Sequence, residues 1–281
     1  MWSRDRQHCG LGLGCGLTLL CQLQEIANEQ IQLLHTWLTA NKLHLNKEKT
    51  CYTVFSSSKT KCCVSLKLNG DDLEQVNTCR YLGVIVDSEL KWISHIEVVF
   101  QKLNRLVGIC YKLSYKLPDW CLRDIYFAFV HPHVLYCIEV YGNTCGSYMD
   151  KLTKLNNKIL RILQKKSRSC CNECLYVQYN TLPPVQLFNF QVLTLVHKTL
   201  FTPHLLPPIF QQYFSLNKSF HGHNTRNQRL HLTQYQSHLG FHSLKFKGSQ
   251  LWNRLPQDLM LIPKSASFRK LLKNHLLYNP M

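Results

Sequence analysis

Asp71 and Asp72 are adjacent carboxylates, the residue type that holds the Mg²⁺ ions of phosphoryl-transfer sites. Their context points elsewhere. Asn69-Gly70 precedes them, and Asn-Gly followed by Asp suits a tight hairpin turn, because both leading residues tolerate positive φ. Cys171 and Cys174 stand at zinc-ligand spacing, but no second pair follows at zinc-finger distance. A tetrahedral site would need His197, or His221 with His223, so no metal ligand is assigned. The glycines of the opening segment match neither a dinucleotide fingerprint nor a Walker loop. No nucleophile elbow, His-Glu-x-x-His or kinase signature occurs.

The clearest periodic signal is cationic. Lys151, Lys154, Lys158, Arg161, Lys165 and Arg168 are spaced 3, 4, 3, 4 and 3, which predicts one face of a helix, with Leu152, Leu155, Ile159 and Ile162 beside them. At ~1.5 Å per residue that stripe is roughly 25 Å long, enough to track several backbone phosphates. A solvated helix face would normally mix acids with bases. No acid occurs between Asp150 and Glu173.

Charge over the whole chain agrees. The 281 residues hold 33 Lys+Arg against 16 Asp+Glu, a formal net charge of +17. Residues 1–150 carry 15 bases and 14 acids, whereas residues 151–281 carry 18 bases and only Glu173 and Asp258 as acids. The second half therefore reads as a binder of polyanions. At 17% charged and 45% hydrophobic the chain is neither collagen-like nor a disordered acidic tail, and its length suffices for one or two cored domains. Fourteen cysteines without a repeated spacing suggest reduced thiols in a nuclear or cytoplasmic protein. No run reaches the ~18–20 apolar residues of a membrane span. Cys9–Cys21 has the length of a signal-peptide core, but its four glycines, Asp5 and the lack of a small-x-small site argue against export.

The elements that would position these groups follow from periodicity. Leu23, Ile26, Ile31, Leu34, Trp37 and Leu38 predict a helix over about 22–40. Tyr52–Ser56, Val64–Leu68, Glu74–Asn77 and Arg80–Val86 read as short strands of a small antiparallel sheet, with a Gly turn inside the last. From Trp92 the stripe Ile96, Phe100, Leu103, Val107 and Cys110 is helical. Pro118 opens a second helix, expected to stop at His131-Pro132. Ser147-x-x-Asp150 reads as a capping box for the basic helix. Another helix follows Thr181-Leu182-Pro183-Pro184 to about Leu200, and a last one covers Ser265–Leu277.

The order of segments resembles a known family. Trp37-Leu-Thr-Ala-Asn41-Lys-Leu43-His-Leu45-Asn46-Lys-Glu-Lys49-Thr50, then Phe55, Arg80-Tyr81-Leu82-Gly83-Val84-Ile-Val-Asp87 and Leu90-Lys-Trp92-Ile-Ser-His95-Ile96 are similar to the region downstream of the active site in LINE-type, jockey-like non-LTR retrotransposon reverse transcriptases. Tyr126-Phe-Ala-Phe-Val130-His-Pro132 with Tyr136 and Tyr141-Gly142 resembles the family's thumb. His223-Asn224-Thr225-Arg226, Leu251-Trp252-Asn253-Arg254-Leu255-Pro256 and Ser267-Phe268-Arg269 resemble its C-terminal tail. The resemblance runs from about Leu19 to the end.

It implies that Lys49 lies near the incoming nucleotide's phosphates, where it would protonate departing pyrophosphate. From the residues alone, Lys49 reads equally well as a phosphate contact or a solvated cation. The resemblance also places Arg80, Tyr81 and Gly83 in the hairpin that grips the primer end. The family's aromatic-x-Asp-Asp turn should fall shortly before the first helix. Gly12-Leu13-Gly14-Cys15-Gly16-Leu17-Thr18 stands there without one acid.

The sequence thus predicts an α+β protein with a divergent leader (1–18) and a palm remnant carrying the hairpin (19–90). A helical thumb (91–175) and a basic C-terminal extension (176–281) follow. Its expected partners are RNA, DNA or an RNA–DNA hybrid, bound without polymerisation. No cofactor is expected, and Mg²⁺ enters only if another chain supplies an intact site. The alternatives are a retrotransposon relic with no selected activity, and a polymerase fragment that needs a second chain for its acids.

Overall fold

A computed structural model describes residues 14–55, 64–211, 213–217, 229–235 and 237–279. The leader before residue 14, His221, and the tail motif at residues 223–226 lie outside them. The chain divides into two compact units, residues 1–81 with 87–89, and residues 82–86 with 90–281.

The first unit holds α1 (Gly14–Ala40) and a 3₁₀ turn (Lys47–Lys49), then β1 (Cys51–Tyr52), β2 (Lys67–Leu68), β3 (Asp71–Asp72), β4 (Glu74–Gln75) and β5 (Thr78–Tyr81). Asn69 at φ 53° and Gly70 at φ 86° turn β2 back on an antiparallel β3, pairing Lys67 with Asp72 and Leu68 with Asp71. Both central residues at positive φ are what a type I′ turn requires, as Asn-Gly predicted. The expected single antiparallel sheet is not what forms. β1 pairs with β4 in parallel, because Leu73 alone separates β3 from β4 and leaves no room for a turn. One extended run, 71–76, pairs first with β2 and then with β1, through Leu73 N–H to Leu66 O (2.8 Å) and Val76 N–H to Tyr52 O (2.9 Å).

Asn28 on α1 completes the edge of β2 in place of another strand. Its Nδ2 donates to Ser65 O at 3.3 Å and its Oδ1 accepts from Lys67 N at 2.8 Å. Much of the apolar stripe of α1 is uncovered: Leu23, Ile26, Leu34 and Trp37 are exposed, while Ile31 and Leu38 are half-buried.

The second unit is almost wholly helical. After a turn at Leu82 and Gly83, again both at positive φ, come β6 (Val84–Asp87), α2 (Ile93–Ser114) and α3 (Asp119–Ile125). A π-helical turn (Tyr126–Val130) leads into α4 (His131–Leu135), α5 (Ile138–Tyr141), α6 (Gly146–Leu163), α7 (Asn172–Tyr179) and α8 (Pro184–Phe201). The rest is α9 (Pro208–Gln211), α10 (His238–Phe241), α11 (Leu244–Asn253), α12 (Gln257–Met260) and α13 (Ser265–Tyr278). The predicted stripe of α2 faces inward: Ile96, Leu103 and Cys110 are buried, and Phe100 and Val107 pack against the core. α8 packs on α5, α6, α11 and α13, and Trp252 of α11 is buried against Phe268 of α13. Among the described residues no helix is long and apolar enough to cross a membrane.

Two expected helix boundaries shift. The chain does not stop at His131-Pro132; it passes through, because the π turn hands the His131 N–H to Tyr126 O. That widened turn accommodates a proline that has no N–H and crowds the preceding carbonyls. Ser147 is no cap. α6 starts at Gly146 behind an extended Cys145, which puts Ser147 inside the helix, where its Oγ donates to Cys145 Sγ at 3.5 Å.

Candidate nucleic-acid interface

The six predicted cations do not share one helix face. Lys151, Lys154 and Lys158 lie exposed on α6. Arg161, in its last turn, points into the following loop and donates to Asn172 Oδ1 at 2.5 Å and Cys170 O at 3.3 Å. The helix then ends. Lys166 N–H bonds to Arg161 O (2.9 Å) and Lys165 N–H to Ile162 O (3.2 Å), with Lys165 at φ 53°: a Schellman motif with lysine in the left-handed position usually taken by glycine. Lys165 and Arg168 are therefore loop residues, both exposed.

Two more of the cations are paired with acids. Lys151 Nζ lies 2.6 Å from Glu97 Oε2 and 4.3 Å from the centre of the Phe100 ring; its ammonium holds the Glu97 carboxyl below the usual carboxylate range. Lys165 Nζ lies 3.0 Å from Asp119 Oδ1. Lys154 and Lys158, one turn apart, pair with no acid among the described residues. Beneath them Leu152, Leu155 and Ile159 are buried, so the helix packs inward while these two lysines face solvent.

In the first unit Lys49 is exposed at the end of its 3₁₀ turn, with its N–H on the Asn46 carbonyl at 3.2 Å. Arg80 and Tyr81 end β5, both exposed, Tyr81 by 67%. In the second unit Gly83 has φ 84°, and a Cβ there would stand 3.6 Å from the Tyr136 ring. Tyr136 Oη donates to Leu82 O at 2.5 Å, tying the turn to the end of α4. Behind it His95 is buried, its Nδ1 accepting from Ile85 N–H at 3.3 Å and its ring edge-on to Tyr141 at 4.9 Å. Burial, then the charge of Lys102, holds the His95 imidazole below its usual pKa, in its neutral, accepting form.

The other chemically suggestive residues are otherwise engaged. Asp71 and Asp72 form β3, and Asp72 Oδ1 accepts from Ser65 Oγ at 3.0 Å. Cys171 and Cys174 are joined as a disulfide at the start of α7, which corrects the expectation of reduced thiols at this pair. His197 stacks between Phe201 and Phe268, at 4.6 and 4.1 Å, with Nε2 2.8 Å from Ile262 O. No group of three His, Cys, Asp or Glu among the described residues could hold a metal ion.

The sequence reading missed an aromatic surface. Tyr111 on α2, Tyr115 in the turn that ends it and Trp120 on α3 are exposed, interleaved with exposed Lys112 and Lys116. The two tyrosine rings meet edge-on at 5.1 Å, and Tyr115 Oη donates to Tyr111 Oη at 3.1 Å. Exposed rings among cations are the means by which single-stranded bases are stacked. The signal was present, since aromatics at i and i+4 lie off the apolar stripe that ends at Cys110.

Comparison with known proteins places the chain beside one class: its homologues are RNA-directed DNA polymerases of LINE-type non-LTR retrotransposons. It is 27% identical over 139 residues, 47% of its length, to the RNA-directed DNA polymerase from mobile element jockey of Drosophila melanogaster. The Drosophila funebris jockey polymerase is 27% identical over 151 residues, 51% of this chain. A probable RNA-directed DNA polymerase from transposon BS of Drosophila melanogaster is 25% identical over 142 residues, 48% of this chain. The matched segment spans only 15%, 16% and 15% of those three polymerases. No protein-family model and no solved structure matches.

Proposed function

We propose that this chain binds nucleic acid, RNA or an RNA–DNA hybrid, through backbone phosphates and without polymerising it. The observation that carries this is the pair Lys154 and Lys158, exposed on one face of α6 with no carboxylate partner among the described residues. Similarity to retrotransposon polymerases supports a nucleic-acid partner, and Lys49, Arg80, Tyr81 and Gly83 are the further phosphate or base neighbours it suggests.

Replacing Lys154 and Lys158 with Gln keeps helix propensity nearly constant, so weaker binding could not be blamed on a melted helix. Removing one lysine–phosphate pairing flattens log affinity against log salt by about 0.7–0.9. The double variant should therefore bind an RNA or hybrid duplex more weakly at low salt, with a slope smaller by about 1.4–1.8 and an unaltered sequence preference. Equal affinity and slope in the two proteins would refute the reading. Arg161 does not belong in that test, because its guanidinium braces the loop before α7.

The second half of the proposal has its own assay. With primer, template, dNTPs and Mg²⁺, the chain should extend nothing above background, since the adjacent carboxylates form a hairpin strand. Magnesium-dependent extension that disappears in Asp71→Asn/Asp72→Asn would overturn it.

A further inference from the structure

Three nitrogen-bearing side chains, from α3, α4 and the distant α13, converge beside the π turn. Arg123 of α3 lays its guanidinium over the Phe127 ring, 5.1 Å from its centre. The His131 imidazole packs on the same ring at 5.3 Å and on Tyr126 at 6.0 Å. From α13, Lys273 Nζ donates to the carbonyl of Asn180 at 2.6 Å; the neighbouring Tyr179 ring lies 5.7 Å from Tyr126. The Tyr126–Phe127 pair thus forms a wall that carries Arg123 and His131, and the carbonyl next to Tyr179 holds Lys273 on its Tyr126 side.

They repel one another. Burial, then the charge of Arg123, holds the Lys273 ammonium below its usual pKa, and burial, then Lys273, does the same to His131. Neither Arg123 nor Lys273 is paired with an acid among the described residues. Asp119 also faces Tyr179, but it is held by Lys165 at 3.0 Å. Like charges drawn together without a counter-charge cost stability, and an anion from outside offsets that cost.

We propose that Arg123, Lys273 and His131 form a seat for a phosphate group. The guanidinium fork, the spare ammonium protons and an imidazole N–H approach from three elements. They supply more donors than the two oxygens of a carboxylate can accept, and they suit the several oxygens of a phosphate. The seat does not include Lys154 or Lys158; it rests on the nucleic-acid reading only for where its phosphate comes from.

Thermal melting of the full chain tests it, with sodium phosphate compared against sodium chloride at equal ionic strength and pH. Phosphate should raise the Tm saturably, by roughly 5–10 °C at a hundredfold excess over Kd. Arg123→Gln and Lys273→Gln should each abolish that rise. In chloride alone Arg123→Gln should melt no lower than the parent, because a repulsion has been removed; a merely structural brace would lower the Tm in both salts. The Lys154→Gln/Lys158→Gln protein should keep the full phosphate response, so that failure of this seat and failure of the α6 interface are distinguishable. A short single-stranded oligonucleotide then separates the sources. A salt slope reduced by about 0.7 in each single variant identifies a backbone phosphate, and an unchanged slope with the phosphate response abolished identifies a free phosphate. No phosphate response in the parent, or an equal response in parent and Arg123→Gln, would overturn the proposal.

Discussion

Asn156→Leu should cost about 2–3 kcal/mol, and adding Tyr126→Phe should restore about 1 of it. Asn156 is fully buried in α6 and joins three elements. Its Oδ1 accepts from Tyr126 Oη at 3.4 Å, and its Nδ2 donates to Tyr176 Oη at 3.1 Å. Tyr176 in turn donates to Asn157 Oδ1. Leucine has the same branched arrangement of heavy atoms and leaves no cavity, so the loss measures hydrogen bonding more than an emptied site. Burial has already pushed the Tyr126 phenol up to about 12, with Asn156 and then Thr181 opposing that rise, and without Asn156 that hydroxyl loses the larger of the two offsets to its desolvation. Removing the hydroxyl as well removes the under-satisfied group. The readout is urea unfolding followed by circular dichroism. If the double variant proves less stable than Asn156→Leu alone, the network is not what holds the π turn, α6 and α7 together.

Gly142→Ala should be nearly as damaging, at about 2–3 kcal/mol, although local propensity predicts a gain. Gly142 has φ −68°, which any residue adopts, so alanine would by itself stabilise through the unfolded chain by ~0.4–1 kcal/mol. Packing decides the sign. A Cβ there would stand 2.6 Å from the Ile138 carbonyl oxygen and 2.6 and 2.9 Å from Phe188 atoms, closer than real Cβ atoms come. The backbone at the end of α5 touches α8 directly, and only the absence of a side chain allows it. A lowered midpoint in urea, partly recovered by Phe188→Leu, would show this; a raised midpoint would mean that α8 yields.

Much of the fold was legible in the sequence where one local cause dominated. Asn69-Gly70 forced its turn, the stripe from Ile96 to Cys110 buried itself, and Pro183-Pro184 opened α8 at Pro184. The misses share a different cause. Spacing of 3 and 4 carried the basic stripe past Leu163, because periodicity cannot register a lysine that adopts a left-handed conformation and ends the helix. Nor could spacing show that Glu97, from another helix, would take Lys151. In the candidate interface, Lys154 and Lys158 were readable as exposed cations since their helix is amphipathic. The Arg123–His131–Lys273 cluster was not, since α13 brings Lys273 to it from the far end of the chain.

The π turn at Tyr126–Val130 also has a geometric reason. Leu122, Tyr126, Val130 and Val134 are all buried and follow one another at intervals of four. In a regular α-helix four residues rotate the chain by roughly 400°, so each step overshoots by roughly 40° and three of them drift by roughly 120°. The last of the four would then point well away from the core. An i+5 turn holds one residue more than an α-turn and takes up that excess, which keeps the four side chains in line across the proline. It works as a leap day does in a calendar: one extra count, inserted where the error has accumulated, returns the sequence to phase with the surface it must match.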